Sequence, residues 1–284
     1  MDMVSYYGGK SATTEELAKI ENKPYYTINF DTKKYKNSNL IIIVTYTCLP
    51  AIKLCLDCVL ETLEETENTF ALILDNNSSS DIQAYLNKIK HSKVDIVFIG
   101  QNLGKAIAVN NFGQRFLNKT NLPETIISID PDIIFTPKDF QEMINASKNI
   151  KKAGMIGMRF AKNSCNPEIN LFFPERKIKG IDKKVYKIKS PFMATVAGPI
   201  FAIKGSVYMN TLKFRLFPKK FLATYGGDDS ATYAVLRKGL VNGYLQGTQV
   251  THLRQRDHVS EELQKIIDDN ALPPFGHLPS SPTQ

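Results

Sequence analysis

Asp130 and Asp132 are the residues whose types and spacing most directly suggest chemistry. They lie two apart in IISIDPDIIF (126–135), an otherwise apolar and β-branched run that favours a buried strand. Burying a carboxylate costs free energy unless the charge is paired or binds a cation. Two carboxylates at a strand end suit Mg²⁺ or Mn²⁺, and Mg²⁺ is commonly held by one or two carboxylates together with substrate phosphates. The alternative is a polar strand end in which one aspartate caps the next turn.

Two later segments supply groups that would complement this pair of carboxylates. YGGDDSATYAVLRKGL (225–240) has the glycines, early acids and late basic residues of a well-marked helix. Asp228 and Asp229 either cap that helix or serve as a general base toward a hydroxyl. His252 follows a predicted strand, and a neutral imidazole can complete a metal shell, although a lone histidine is more often structural. Arg254 could then hold phosphate oxygens.

The elements that would position these groups alternate between strands and helices. Continuously apolar strands separated by helices favour an α/β fold, with a mainly parallel central sheet flanked by helices. In the first half, the pattern predicts strands at 40–46, 70–75, 94–100 and 125–130 and helices at 51–65, 80–90 and 104–119. Further strands are predicted at 24–30, 155–161, 194–205 and 241–253.

Polar residues follow the ends of the first four predicted strands. In open α/β sheets, ligands bind outside the carboxyl ends of the strands, so these groups are expected to border one crevice. Each group alone also fits a turn or a helix start packed on the sheet. The groups include Thr45 and Tyr46, Asp75 and Asn77, Asn102, and the Asp130–Asp132 pair.

Composition sets the broad class of protein. The 284 residues are 43% apolar and 23% charged, which is typical of a soluble globular protein with a substantial core. No apolar run has the roughly 18 residues of a membrane span, and the first residues lack the pattern of a secretory signal. Four cysteines include one CxxC without a second pair, which favours reduced thiols over a zinc site. A cytoplasmic protein is therefore expected.

The basic residues are unevenly distributed. The chain carries a formal charge of +8, and Arg176 to Lys189 contains seven basic residues and one acid. Such a run could meet phosphates, an acidic glycan, nucleic acid or an anionic membrane surface. A solvated basic face is an equally good interpretation.

In order and spacing, these segments resemble family 2 of the glycosyltransferases, which has the Rossmann-like GT-A fold. The resemblance is carried by IIIVTYT, LDNNSSSD, QNLGKAIAVNNFG, SIDPDIIFTPKDF, YGGDDSATYAVLRKG and VTH. It implies a single large domain at 39–258, with a nucleotide-sugar half at 39–135 and an acceptor and catalytic half at 136–258. Residues 1–38 would be an N-terminal extension, and 259–284 a C-terminal helix and Pro/Ser-rich tail.

The resemblance also implies a reaction and a set of roles. A metal-dependent, inverting enzyme would move a sugar from a nucleotide sugar to an acceptor hydroxyl. Asp229 would be the general base, with Asp228 as a second candidate, and Mn²⁺ or Mg²⁺ would be held by Asp130, Asp132 and His252. The residues expected around the nucleotide sugar are Thr45, Tyr46, Asp75, Asn77, Asn102, Gly104, Lys105, Asp130 and Arg254.

The resemblance defines the sugar donor and the acceptor only as broad chemical classes. UDP is the commonest nucleotide in the family, so a UDP-sugar is expected, with a hexose or N-acetylhexosamine transferred. The acceptor could be a glycan, a lipid-linked molecule, a protein or another hydroxyl compound. The basic run 176–189 could place the protein peripherally at the inner face of the membrane or bind a polyanionic acceptor.

Two other classes of protein were weighed against this interpretation. A sugar nucleotidyltransferase would carry a Gly-rich, Arg-containing loop after the first strand, where this chain has TYTCLPAIK. A basic protein that binds nucleic acid or another polyanion would explain the charge, but it would leave the carboxylates unexplained.

Overall fold

The central sheet is built around β1 (Asn39–Thr45), a strand that is buried along its whole length. It pairs in parallel with β2 (Thr69–Asp75) and β4 (Thr125–Ile129), and β2 pairs in parallel with β3 (Val94–Phe98). Burial on both faces accounts for the uninterrupted aliphatic sequence of β1. The four strands predicted for this half are confirmed. The computed structural model describes residues 23–161, 174–190, 199–217 and 228–253, and of 228–230 it describes the backbone alone.

Helices cover both faces of this parallel half, as predicted. They are α1 (Leu49–Glu65), α2 (Ser80–Leu86) and α3 (Lys105–Phe116), and each connects two consecutive strands. The buried residues of α1 and α2 form one core with one face of the sheet. The buried residues of α3 form a second core on the opposite face. Because the four strands are parallel, their carboxyl ends lie at the same end of the sheet.

The second half extends the same sheet in mixed orientation. Its elements are β5 (Ile133–Ile134), α4 (Pro137–Asn149), β6 (Ala153–Phe160), β7 (Glu175–Lys179), β8 (Val185–Lys189), β9 (Ile200–Lys204), α5 (Gly205–Asn210), α6 (Asp228–Leu236) and β10 (Val241–His252). Across the sheet the strand order is β3-β2-β1-β4-β9-β6-β10-β8-β7. β9 is antiparallel to both β4 and β6, whereas β6 and β10 are parallel.

The sequence-based prediction of a strand at 24–30 is wrong, and the sequence pattern did not indicate the β7–β8 hairpin. Residues 24–30 form no strand. Instead, Tyr26 packs against α3 and donates its hydroxyl hydrogen bond to the carbonyl of Ala108 at 2.7 Å, so side-chain burial rather than strand pairing fixes this segment. The sequence pattern also did not indicate α4, which begins where Thr136 accepts a hydrogen bond from the amide of Asp139 and Pro137 opens the first turn.

Some predictions concern parts of the chain beyond the described residues, including the C-terminal helix and tail at 259–284. Within the described ranges, no helix combines the length and apolarity needed to cross a bilayer.

Candidate active site

The Asp130–Asp132 turn is held by backbone contacts from two later parts of the chain. The amide of Asp130 donates to the carbonyl of Pro199 at 2.7 Å, and the carbonyl of Asp132 accepts from the amide of Leu253 at 3.0 Å. β5, which follows the turn, pairs antiparallel with the end of β10, and His252 lies opposite Ile133. The turn between the carboxylates is therefore fixed relative to the histidine.

This pairing brings together the three residues predicted as metal ligands. One ligand atom from each of Asp130, Asp132 and His252 lies within 4.8 Å of the other two. The Nε2 atom of His252 is 3.4 Å from Oδ2 of Asp132, and its ring stacks on Phe160 with centroids 6.0 Å apart. Two carboxylates and an imidazole form a donor set that suits Mn²⁺, and the carboxylates also suit Mg²⁺.

Lys105, the first residue of α3, contacts the same group. Its Nζ atom lies 2.5 Å from Oδ1 of Asp130 and 5.2 Å from the centre of the Phe217 ring. Burial raises the pKa of Asp130 above its ordinary value, and neighbouring Asp132 adds to this, whereas Lys105 and His252 oppose it. A cationic side chain therefore partly neutralises the carboxylate that a metal ion would also bind.

A cavity of about 220 Å³ lies against this cluster. It is bordered by the ends of β1, β4 and β10. Of the four polar groups predicted to border one crevice, those after β1 and β4 line this cavity. Tyr46 is 41% exposed, so one aromatic side chain at the cavity is open to a ligand. The lining residues are Val44, Tyr46, Thr47, Cys48, Asp130, Pro131, Asp132 and His252.

Thr45 and Asp75 lie side by side at the ends of β1 and β2, but both are fully buried. The hydroxyl of Thr45 donates to Asp75 at 3.2 Å, and Asp75 also accepts from the side-chain amide of Gln83 at 3.0 Å. These contacts brace the two strand ends against α2. Asn77, by contrast, is exposed in a left-handed conformation with φ 63°.

Asn76 is a structural residue of the site that the sequence-based prediction missed. Its side-chain amide donates to Asn102 at 2.6 Å, and its oxygen accepts from the amide of Leu103 at 2.7 Å. Asn102 also accepts from the amide of Gly104, whose φ of 72° and ψ of 157° place it in a region used almost only by glycine. The Asp-Asn-Asn-Ser run indicated a turn but did not show which asparagine joins the two loops.

Asp228 and Asp229 open α6, as the sequence predicted for this helix. The helix lies on the α3 side of the sheet, where the Thr232 hydroxyl contacts the sulfur of Met155 at 3.4 Å. α6 leads directly into β10, which begins beside the start of β6. Arg254 lies outside the described residues.

Asn110 fixes the backbone of Phe217 and is not among the predicted site residues. Its side chain donates to the carbonyl of Phe217 at 2.9 Å and accepts from the amide of the same residue at 3.1 Å. Phe217 in turn lies under Lys105. The available signal was that Asn110 directly follows a run of four apolar residues, at 106–109.

Comparison with known families identifies the class of protein that this fold and site define. A family model described as glycosyl transferase family 2 matches residues 40–210, more than half of the chain. The chain therefore belongs to glycosyl transferase family 2. No curated protein sequence matches it at a significant level.

Solved structures confirm the GT-A fold. The mannosyltransferase PcManGT from Pyrobaculum calidifontis, in complex with GDP-Man and Mn²⁺, matches with a TM-score of 0.57 and 15% identity over 89% of this chain and 65% of that one. GalNAc-T7 with UDP, GalNAc and Mn²⁺ matches with a TM-score of 0.53 and 11% identity over 82% of this chain and 50% of that one.

A third match is S. aureus TarS (1–349) in complex with UDP-GlcNAc, with a TM-score of 0.51 and 13% identity over 82% of this chain and 65% of that one. This chain thus spans half to about two thirds of the length of these solved chains. Likeness at such low identity establishes a shared fold.

Proposed function

We propose that this chain is a metal-dependent, inverting glycosyltransferase that moves a sugar from a nucleotide sugar to an acceptor hydroxyl, with residues 39–258 as the catalytic unit. The observation that carries the proposal is the cluster of Asp130, Asp132 and His252 beside a cavity at the carboxyl ends of the strands. In a family 2 chain with the GT-A fold, this is the edge at which ligands of α/β sheets bind.

The described residues fit a divalent cation. Asp130, Asp132 and His252 would hold Mn²⁺ or Mg²⁺, with Asp132 in direct contact with the ion. Their ligand atoms lie within 4.8 Å of one another, and all three residues line the cavity. A bound divalent ion supplies Lewis-acid stabilisation of the negative charge on a departing diphosphate. Lys105 lies beside Asp130 and provides a second positive charge for the same diphosphate.

The nucleotide would lie along the ends of β1, β2 and β3. The exposed ring of Tyr46 could stack on the base, and the exposed Asn77 offers both donors and acceptors. Thr45 and Asp75 are buried, so they would support the binding surface, or meet the ribose after a local rearrangement. Asn102, Gly104 and Lys105 would line the pocket from the α3 side, and Arg254 is a further candidate for the phosphates.

The chemical step would be a single displacement. Asp229, or Asp228 in its place, removes the proton from the acceptor hydroxyl while the oxygen attacks the anomeric carbon and the bond to the diphosphate breaks. One displacement inverts the anomeric configuration. A hexose or N-acetylhexosamine from UDP is the first donor class to test, beside GDP-mannose. We further propose a cytoplasmic location and an acceptor hydroxyl on a glycan, a lipid-linked molecule or a protein.

The test is thermal unfolding with UDP, GDP and other nucleoside diphosphates, each in the presence of Mn²⁺ and of EDTA. One nucleotide should raise Tm only with Mn²⁺, because a ligand that binds the native state stabilises it by mass action. The Asp132→Asn variant should lose that shift. Asp57→Asn, which removes an exposed carboxylate from α1, is the matched control and should keep it.

Turnover then separates the metal site from the base. With the matching nucleotide sugar and an acceptor, Asp229→Asn should retain the Mn²⁺-dependent Tm shift and lose transfer, while NMR of the product of the unmodified chain should show an inverted anomeric centre. If no nucleotide shifts Tm under either condition, the donor site is not functional and binding to polyanions becomes the better interpretation.

A further inference from the structure

The basic run 176–189 folds into a hairpin with two different faces. β7 and β8 pair antiparallel at the end of the sheet, and the buried residues of β8 alternate with exposed ones. Tyr186 and Ile188 face the core that contains α4. Side chains alternate between the two faces of a strand, so the residues that do not face this core share the outer face. They include Lys177, Lys179 and Lys187.

The positive charge concentrated on the outer face lowers the stability of the sheet. Lys177 and Lys187 are direct cross-strand partners, and like charges in such positions destabilise a sheet. Within the described ranges, neither these two nor Lys179 has an ion-pair partner. The acid in the turn, Asp182, instead accepts a hydrogen bond from the buried Tyr186 hydroxyl at 2.6 Å. Glu175, which lies opposite Lys189, adds one acid to this face, so the lysines leave it with a net positive charge.

The two most exposed large apolar side chains of the described residues lie on the same hairpin. Ile181 in the turn is 72% exposed, and Val185, which pairs with Lys179, is 54% exposed. Lysines on an edge strand are a common defence against aggregation. Protection against aggregation does not explain the solvent-exposed aliphatic side chains among the lysines, because exposed aliphatic side chains favour association.

The hairpin is also held rigidly on the body of the protein. The amide of Ile181 donates to the carbonyl of Asn149 at the end of α4 at 2.9 Å. Lys184 forms an ion pair with Glu142 of the same helix at 2.5 Å, and Gly180 is buried where a Cβ atom would lie 2.3 Å from Asp182. The lysine face and the exposed isoleucine are therefore presented in one fixed orientation.

We propose that the β7–β8 hairpin is a docking surface for an anionic phospholipid bilayer. Lysines at such a surface are attracted to acidic headgroups, and aliphatic side chains beside them enter the interfacial region. A nucleic acid or acidic glycan would use the lysines but gain nothing from Ile181. This inference goes beyond sugar transfer and does not depend on it, because docking requires neither donor nor acceptor.

Co-sedimentation of the full chain with vesicles tests the proposal. We expect binding to phosphatidylcholine vesicles that contain about a third phosphatidylglycerol, and none to phosphatidylcholine alone. The triple variant Lys177→Gln/Lys179→Gln/Lys187→Gln should lower the partition coefficient on the order of 100-fold. Ile181→Ser should lower it about tenfold without changing the charge.

A matched triple variant controls for loss of charge alone. Lys88→Gln/Lys90→Gln/Lys119→Gln removes three exposed lysines from outside the hairpin and should leave vesicle binding unchanged. Tm of every variant should stay close to that of the unmodified chain, because the changed side chains are exposed. Equal losses in both triple variants would overturn the proposal. The proposal would also be overturned if vesicle affinity depended on the lysines but was unchanged in Ile181→Ser. That result would indicate that the face binds soluble polyanions.

Discussion

At the residue scale, Asp130 has two competing partners. Lys105 contacts its carboxylate directly, and the same carboxylate belongs to the cluster with Asp132 and His252. A lysine cannot coordinate a metal ion, and its positive charge repels one. The lysine would strengthen binding of the diphosphate and weaken binding of the metal ion alone, so replacing it separates the two effects.

Lys105→Met should therefore have opposite effects on two ligands. Affinity for Mn²⁺ alone should rise roughly tenfold, because a positive charge beside the ligand cluster is lost. Affinity for the nucleoside diphosphate at saturating Mn²⁺ should fall, because the same charge no longer meets the phosphates. Isothermal titration calorimetry measures both quantities.

Lys88→Met, which changes an exposed lysine on the far side of the sheet, should alter neither affinity. Parallel losses of both affinities in Lys105→Met would show that the lysine only supports the local fold.

The raised pKa of Asp130 predicts how metal binding depends on pH. Metal ions bind the carboxylate form, and a raised pKa means that protons compete with the metal at a higher pH than for an ordinary aspartate. Affinity for Mn²⁺ should thus fall as the pH is lowered from about 7 to about 5. Titrations of Asp130→Asn provide the comparison. The variant should show a shallower dependence, and identical slopes would contradict the assignment.

At the element scale, one side chain joins α3 to the segment that leads toward α6. The side chain of Asn110 is 1% exposed and satisfies both backbone groups of Phe217, whose ring lies under Lys105. Through this link, α3 supports both the lysine at its own start and the backbone of Phe217.

Asn110→Ala should lower the free energy of unfolding by about 2–4 kcal/mol, because it leaves a buried amide and a buried carbonyl without their partners. Urea denaturation measures this change, and Asn87→Ala, at an exposed position after α2, should change stability by less than about 0.5 kcal/mol. We expect the transfer rate of Asn110→Ala to fall more than its donor affinity. A stability loss no larger than that of the control would show that the two bonds are not formed in solution.

The elements of the first half could be predicted, because their strands are apolar throughout and bounded by polar turns. β1 and β4 are examples in which burial on both faces leaves a continuous aliphatic sequence. α4 and the β7–β8 hairpin were missed for different reasons. α4 has mixed composition and is fixed by its Thr136 cap and its packing on the sheet. In the hairpin, the many lysines obscure the alternation of buried and exposed residues, which becomes clear only from the burial of Tyr186 and Ile188.

The arrangement of the site could likewise be predicted only in part from the sequence. Sequence placed Asp130, Asp132 and His252 at strand ends, and their convergence depends on β5 pairing with β10, which no local pattern encodes. The burial of Thr45 and Asp75 and the bridging role of Asn76 likewise follow from contacts between strands.

At the scale of the whole molecule, the proposed metal site draws on both halves of the sheet. Asp130 and Asp132 follow β4, and His252 ends β10, which is separated from β4 in the sheet by β9 and β6. A metal ion bound there would tie these strand ends together at the backbone contacts of the turn.

Hydrogen–deuterium exchange should detect this coupling. Mn²⁺ with the matching nucleotide should slow exchange at the amides of Asp130 and Leu253, which donate to Pro199 and Asp132 across the junction. Peptides from the β7–β8 hairpin should exchange at unchanged rates. Slowing throughout the chain would instead indicate a general shift in global stability.

The position of β9 has a consequence for how this protein is made. β4 and β6 both leave the ribosome before β9, yet β9 must lie between them and pair with each. Until it arrives, the nascent chain carries two apolar strands with open edges, which can pair with the wrong partner. The stretch of translation between Phe160 and Ile200 is therefore the interval in which a chaperone would do most to prevent aggregation of this chain.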